Sequence, residues 1–179
     1  MEIKNSGRGH GYTQDDINVV IEAMQSADPF TQGRYQKNFE EKFSEYLDSD
    51  VASFAVSSGT AALELAAILS GIDKNDEVII PAHTFAATAI PFARTGSKIV
   101  WADIDPSSFI ISIDSIKSLI TSATKVIVVV HLYGLMADMY EIMKLAKKHG
   151  ILVIEDCAQA LGAEINGKKA GTFGDFSCY

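Results

Sequence analysis

Val153-Ile154-Glu155-Asp156-Cys157-Ala158-Gln159-Ala160 is the stretch on which the reading of this 179-residue chain turns. Ile151–Ile154 is a short apolar run of strand length, bounded upstream by Gly150. A run without polar alternation fits a strand covered on both faces, as in a parallel sheet. Its end delivers a carboxylate, Asp156, and three residues on an amide, Gln159.

Working outward, the same grammar repeats. Asp138–His149 reads as a helix with Met139, Ile142, Met143 and Ala146 on one side and Gly150 closing it. Val126–Val130 is an unbroken β-branched strand. Asp114–Ile120 reads as a short helix and Ile99–Ala102 as a strand leading into Asp103-Ile104-Asp105-Pro106. Thr84–Ala93 is expected as a helix interrupted near Pro91, Glu77–Ile80 as a strand stopped by Pro81, Gly59–Leu69 as an alanine-rich helix, and Val51–Val56 as a strand. Downstream, Gly162–Lys169 resembles a hairpin turning at Asn166-Gly167. The last residues, Gly174–Tyr179, read as part of a further strand. Strands alternating with helices predict right-handed β-α-β units and an α/β fold, a three-layer α/β/α arrangement with a mostly parallel sheet. In such sheets ligands gather at the strand C-terminal ends.

Residues 1–50 read differently, as a helical segment. Thr13 starts a helix with Asp15 and Asp16 in its first turn and Ile17, Val20, Ile21 and Met24 on one face. Asp28-Pro29 is expected to end it. After a Thr31-Gln32-Gly33 turn, a second helix carries Phe39, Phe43, Tyr46 and Leu47. The glycine-rich Asn5–Gly11 precedes no strand and reads as a flexible leading segment.

The charge balance narrows the function classes. Fifteen Lys and Arg against 23 Asp and Glu give a net charge of −8. No basic run interrupts it, so neither nucleic acid nor an anionic membrane is an expected partner. Apolar runs are strand-sized, the N-terminus lacks a signal-peptide core, and Cys157 and Cys178 form no Cys-x-x-Cys pair. A cytoplasmic protein with reduced thiols is the expectation. His10, His83, His131 and His149 are scattered, so no metal site is expected. No G-x-G-x-x-G follows a strand and no Gly-x-Ser-x-Gly elbow is present. Asp103 and Asp105 read as turn formers.

Three segments fall at strand ends and carry complementary chemistry. Ser57-Ser58-Gly59-Thr60-Ala61-Ala62-Leu63 opens a helix, whose free N–H groups and positive dipole end suit a phosphate, unless Ser58 merely caps it. Phe85, just past Pro81, is either a core ring or one stacked on a planar ligand. Asp156 is expected to be poorly hydrated and to need a cationic partner, or else to cap the next helix. Gln159 can face the same pocket. Phosphate cup, flat ring, buried acid and amide together describe a cradle for pyridoxal 5′-phosphate. A protonated pyridine nitrogen against Asp156 would make that ring an electron sink.

The ordered set of phrases resembles the DegT/DnrJ/EryC1/StrS family of pyridoxal-phosphate-dependent sugar aminotransferases, from about Gly33 to Tyr179. Those phrases are Ser58-Gly59-Thr60-Ala61-Ala62-Leu63, Asp76–Pro81, Thr84–Ala89, Asp103–Pro106, His131-Leu132-Tyr133-Gly134, Ala137-Asp138-Met139, Glu155–Ala160 and Gly171–Asp175. The resemblance implies an aspartate aminotransferase-like (fold type I) large domain, begun by residues 51–179, and a smaller C-terminal domain absent from these residues. It implies a homodimer that moves an amino group from glutamate to a keto sugar nucleotide. It assigns cofactor contacts to Thr60, Ala61, Phe85, Asp156 and Gln159, beside Gly59, which lets the backbone come close to a phosphate. The family's Schiff-base lysine lies in a Ser-Phe-x-x-x-Lys-like segment expected immediately after Tyr179. No catalytic residue is therefore assigned here, and the 179 residues are expected to be inactive alone and to bind cofactor weakly. Leu135-Met136 departs from the proline the family usually places before Ala-Asp. The alternatives are a naturally short, non-catalytic binding protein on this scaffold and a fragment of a family sugar dehydratase.

Overall fold

The computed structural model describes residues 11–26, 31, 33–48 and 51–179. The chain divides into two compact units, residues 1–55 and 56–179. The readings placed on Asn5–His10, Asp28-Pro29 and Gln32 lie outside the described residues.

The first unit holds α1 (Gln14–Ser26) and α2 (Arg34–Leu47). Thr13 starts α1 as its spacing predicts. The Asp16 N–H donates to Thr13 Oγ1 (3.2 Å) and the Thr13 N–H donates to the Asp16 carboxylate (2.8 Å), a reciprocal capping box. Phe39 and Phe43 stack on α2 with ring centroids 5.7 Å apart. The Val51–Val56 segment is not the strand its composition predicts. The Ser53 N–H donates to Ser44 Oγ (2.9 Å) and the Ala55 N–H to Glu40 Oε1 (2.8 Å). Side chains of α2 thus take the donors that a sheet ladder would need.

The second unit runs α3 (Gly59–Leu69), β1 (Glu77–Pro81), α4 (Ala86–Arg94), β2 (Lys98–Ala102), α5 (Ile113–Leu119), β3 (Thr124–Val130), α6 (Met139–His149) and β4 (Leu152–Asp156). The short strands β5 (Glu164–Ile165), β6 (Lys168–Lys169) and β7 (Phe176–Cys178) complete it. The main sheet has the order β2-β1-β3-β4-β7, with every neighbouring pair parallel. The strand period of two splits its side chains between two cores. Ile79, Ile127, Val129 and Val153 pack with Ile116 of α5 and Met139, Ile142 and Ala146 of α6. Val78, Ile80, Val126, Val128 and Ile154 pack with Leu63, Ala66 and Ala67 of α3 and Ala89 and Phe92 of α4. Helices therefore cover both faces, and the architecture is three-layered. β3 lies third of five in the sheet, and its β-branched residues are buried from Val126 to Val130.

Local chemistry sets the element ends. Asp138 caps α6 by accepting the Glu141 N–H, and Gly150 closes it at φ 67°. Asn166 and Gly167, at φ 52° and 77°, turn the β5–β6 hairpin as their dipeptide predicts. α4, by contrast, runs through Pro91 without the expected interruption. Proline lacks only the N–H toward Ala87, and both Pro91 and Phe92 are buried in this short helix. Tertiary burial outweighs the lost bond.

Because β3 carries both cores, its side chains set the unit's stability. Ile127→Ala should lower unfolding free energy by about 2–5 kcal/mol and Ile127→Val by about 0.5–1.5 kcal/mol, read from urea denaturation midpoints.

Candidate functional site

Parallel strands place the ends of β1, β3, β4 and β7 along one edge of the sheet, and a cavity of about 230 Å³ opens there. Gly59, Thr60, Phe85, Asp156 and Gln159 line it; Ala61 does not.

The start of α3 forms one wall. Ser58 caps the helix, its Oγ accepting the Ala61 N–H at 3.1 Å. The reading of Ser58 as a cap is therefore correct. The cap occupies Ala61 and leaves the N–H groups of Gly59 and Thr60 without a partner among the described residues. Gly59 has a packing reason of its own: a Cβ there would lie 3.3 Å from the Tyr179 carbonyl oxygen. The glycine lets the end of β7 approach the helix mouth.

Phe85 is 74% exposed, which rules out a core role within this unit. It is the N-cap residue of α4 and holds its ring at the cavity margin on extended backbone (φ −76°, ψ 143°).

Asp156 is 6% exposed and ends β4. Its Oδ1 accepts the Ala158 N–H at 3.2 Å, so it does cap the following turn. Its Oδ2 accepts the Thr88 hydroxyl at 2.8 Å, and Thr88 lies 2.8 Å from the Thr84 hydroxyl. No cationic side chain pairs with Asp156 among the described residues. Sequence reasoning missed Thr84 and Thr88. The signal was present in Thr84-Phe85-Ala86-Ala87-Thr88, where a helical start puts both hydroxyls on one side, four residues apart.

Gln159 is exposed, and its Oε1 accepts the Tyr133 N–H at 2.9 Å. That bond assigns the amide orientation and leaves the Nε2 donors for the cavity. Tyr133 makes it from a left-handed backbone, φ 58°, followed by Gly134 at φ 79°. The Val130–Gly134 segment thus turns back onto the residue it fixes.

Behind the cavity lies a second carboxylate. Glu155 and His131 are fully buried, with Nε2 and Oε2 2.9 Å apart. His131 Nδ1 accepts the Ala137 N–H at 3.3 Å, so Nε2 carries the proton and donates it toward Glu155. Glu155 also accepts the N–H groups of Gly171 (2.9 Å), Phe173 (2.8 Å) and Gly174 (2.6 Å). Burial opposes its ionisation, but the His131, Gly174 and Gly171 hydrogen bonds prevail and hold its carboxyl below the ordinary range. Sequence reasoning singled out Asp156 at this strand end and assigned nothing to Glu155, whose partner His131 lies 24 residues away.

His131, Glu155 and Cys157 are close enough to share a metal ion. Both imidazole nitrogens and both carboxylate oxygens are already hydrogen-bonded, and burial, with Glu155 and Asp156 nearby, pushes the Cys157 thiol up. The Cys178 thiol, which also lines the cavity, is pushed up to about 12 by burial and Asp156. Both cysteines are free. Asp105 is a turn former as read, its Oδ1 accepting the N–H groups of Ser107 and Ser108. Among the described lysines none lines the cavity; Lys168 lies over the Phe173 ring at 4.3 Å.

Residues 12–179 match the model of the DegT/DnrJ/EryC1/StrS aminotransferase family, and the chain belongs to that family. It is 41% identical over 167 residues to GDP-perosamine synthase of Escherichia coli O157:H7, covering 93% of this chain and 46% of that protein. It superposes on the aminotransferase of Psychrobacter cryohalolentis with a TM-score of 0.87 at 37% identity, covering 93% and 42% of the two chains. A sugar aminotransferase of Streptococcus pneumoniae in its PLP form gives a TM-score of 0.85 at 29% identity, over 93% and 46%. The chain thus spans less than half the length of these relatives. The fold is that of the fold type I pyridoxal-phosphate-dependent aminotransferases, and the family is one of enzymes that aminate sugars. Among the described residues no helix is long and apolar enough to cross a membrane.

Glu155 generates a test of the buried network. Glu155→Gln puts an NH₂ group among N–H donors and should cost roughly 1–3 kcal/mol at neutral pH in urea denaturation. The folded carboxyl lies below its unfolded value near 4.5, so its contribution is present above that value. It is lost as pH falls from there through the lower folded value. The gap between wild type and Glu155→Gln should therefore narrow below about pH 4.5.

Proposed function

We propose that this chain carries the pyridoxal 5′-phosphate cradle of a sugar aminotransferase that takes an amino group from glutamate and delivers it to a keto sugar nucleotide. The observation that carries the reading is the buried Asp156 carboxylate, which has no cationic partner among the described residues, in the same cavity as the start of α3, where the Gly59 and Thr60 N–H groups are unpaired among those residues. An acid of this burial calls for a positive partner, and a pyridinium nitrogen supplies one within a ligand whose phosphate suits the helix mouth.

The donor set fits that group. Gly59 and Thr60 offer backbone N–H groups and a hydroxyl to the phosphate. Ala61 serves through its bond to Ser58, which fixes the turn from which those donors project. Phe85 offers a ring face, Asp156 accepts from the pyridine nitrogen, and the Gln159 amide donates to the ring's phenolic oxygen. When bound, the cofactor supplies an electron sink for the carbon that loses its proton. Residues 51–179 would begin the cofactor-binding large domain, with residues 1–50 a helical segment before it. A homodimer in the cytoplasm, with neither nucleic acid nor membrane as partner, completes the reading.

With no lysine lining the cavity among the described residues, the cofactor would be held there through non-covalent contacts. Titration of the chain with pyridoxal 5′-phosphate, followed by calorimetry, should give micromolar or weaker affinity, and Asp156→Asn should weaken it by about tenfold. Turnover of glutamate with a keto sugar nucleotide is not expected from these residues. An affinity untouched by Asp156→Asn would overturn the assignment of the site.

A further inference from the structure

The Asp156 carboxylate is not held by its own strand alone. Its Oδ2 takes the only proton of the Thr88 hydroxyl, at 2.8 Å. Thr88 is 1% exposed, so bulk water cannot replace that partner. A hydroxyl has one proton to give. With Thr88's committed to Asp156, the 2.8 Å contact between Thr84 and Thr88 must run the other way, Thr84 donating. The polarity of the chain is thereby fixed: Thr84 donates to Thr88, and Thr88 donates to Asp156. The Ala158 N–H fixes the other carboxylate oxygen, so Asp156 is acceptor in both contacts.

The element that supplies Thr88 is also the one that places Phe85. Phe85 is the N-cap residue of α4, and the Thr88 N–H donates to the Phe85 carbonyl at 3.0 Å. One helical turn therefore carries a ring at the cavity margin and, three residues on, the hydroxyl that orients the cavity's acid. From this geometry, and resting on the cofactor reading above, we infer that Thr88, backed by Thr84, is a positioning residue that locks the Asp156 carboxylate to the α4 turn bearing Phe85. A planar ring held by that phenylalanine then meets an acid of fixed orientation at its nitrogen. Thr88 lines the cavity, and its assigned role is to act through Asp156 rather than on the ring or phosphate.

The test isolates the nitrogen contact. The full chain is titrated with pyridoxal 5′-phosphate and with its 1-deaza analogue, in which C–H replaces the ring nitrogen. The ratio of the two affinities measures what Asp156 contributes. Wild type should prefer the nitrogen-bearing ring by roughly tenfold. Thr88→Val, close in volume but without the hydroxyl, should shrink that preference by about fivefold while changing affinity for the deaza analogue less than about twofold. Thr88→Ser should restore the preference. Thr84→Val, which removes the relay's first donor without touching Asp156, should lower it by about twofold and carries the test if Thr88→Val fails to fold. An equal loss for both ligands in Thr88→Val would mean a merely structural hydroxyl and would overturn the proposal. So would an unchanged preference in a protein where Asp156→Asn abolishes it, leaving the cofactor reading intact. A wild type that binds neither ligand, or both alike, would overturn the cofactor reading and this inference with it.

Discussion

Two successive carboxylates at the end of one buried strand cannot share a face, and the second unit is arranged around that constraint. The pleat sends Asp156 toward α3 and α4 and Glu155 toward the opposite layer. Each then requires its own supply of hydrogen-bond donors, because Glu155 is sealed from water and Asp156 is only 6% exposed. Glu155 draws on the imidazole of His131 and three backbone N–H groups from the 171–174 turn. Asp156 draws on two donors alone among the described residues, Thr88 and the Ala158 N–H, against four for Glu155. The difference between the two sets leaves Asp156 with acceptor capacity toward the cavity that it lines.

The Glu155 network also reaches the cavity indirectly. By gathering Gly171, Phe173 and Gly174 it fixes the turn that leads into β7, and Gly174 allows no Cβ, which would sit 2.7 Å from the Val153 carbonyl oxygen. β7 then pairs with β4, Cys178 opposite Asp156, and its end packs on Gly59 at the mouth of α3. His131 starts the segment whose Tyr133 N–H orients Gln159. One buried carboxylate on the far face of the sheet thus sets the position of two cavity walls. The arrangement places hydrogen-bonding demand where solvent cannot meet it, so that only one backbone course satisfies every group.

Much of this was legible in the sequence because it rests on local rules. The apolar runs Val126–Val130 and Ile151–Ile154, the Asp138 cap, the Gly150 stop and the Asn166-Gly167 turn each carry their instruction within a few residues, and the structure obeys them. So does the placement of Gly59, Thr60, Phe85, Asp156 and Gln159 around one cavity, since parallel strands bring their C-terminal ends together. What the sequence hid depends on partners far along the chain. The pairing of His131 with Glu155 and of Thr88 with Asp156 spans 24 and 68 residues. Val51–Val56 has strand composition, yet α2 side chains claim its donors. Pro91 argues locally for a break, yet burial of its helix overrides it. Ala61 sat within a phosphate-cup phrase, but Ser58 takes its N–H, a choice no periodicity reveals.

The central claim is that Asp156 stands ready to face a positive ring nitrogen, and nitrogen NMR addresses it without recourse to turnover. Pyridoxal 5′-phosphate labelled with ¹⁵N in the ring would be bound to the chain and its ring shift recorded at neutral pH. A shift in the protonated-pyridine range that moves to the unprotonated range in Asp156→Asn is the expected result. An unprotonated shift in wild type, or one indifferent to residue 156, would contradict the placement of the cofactor against this acid.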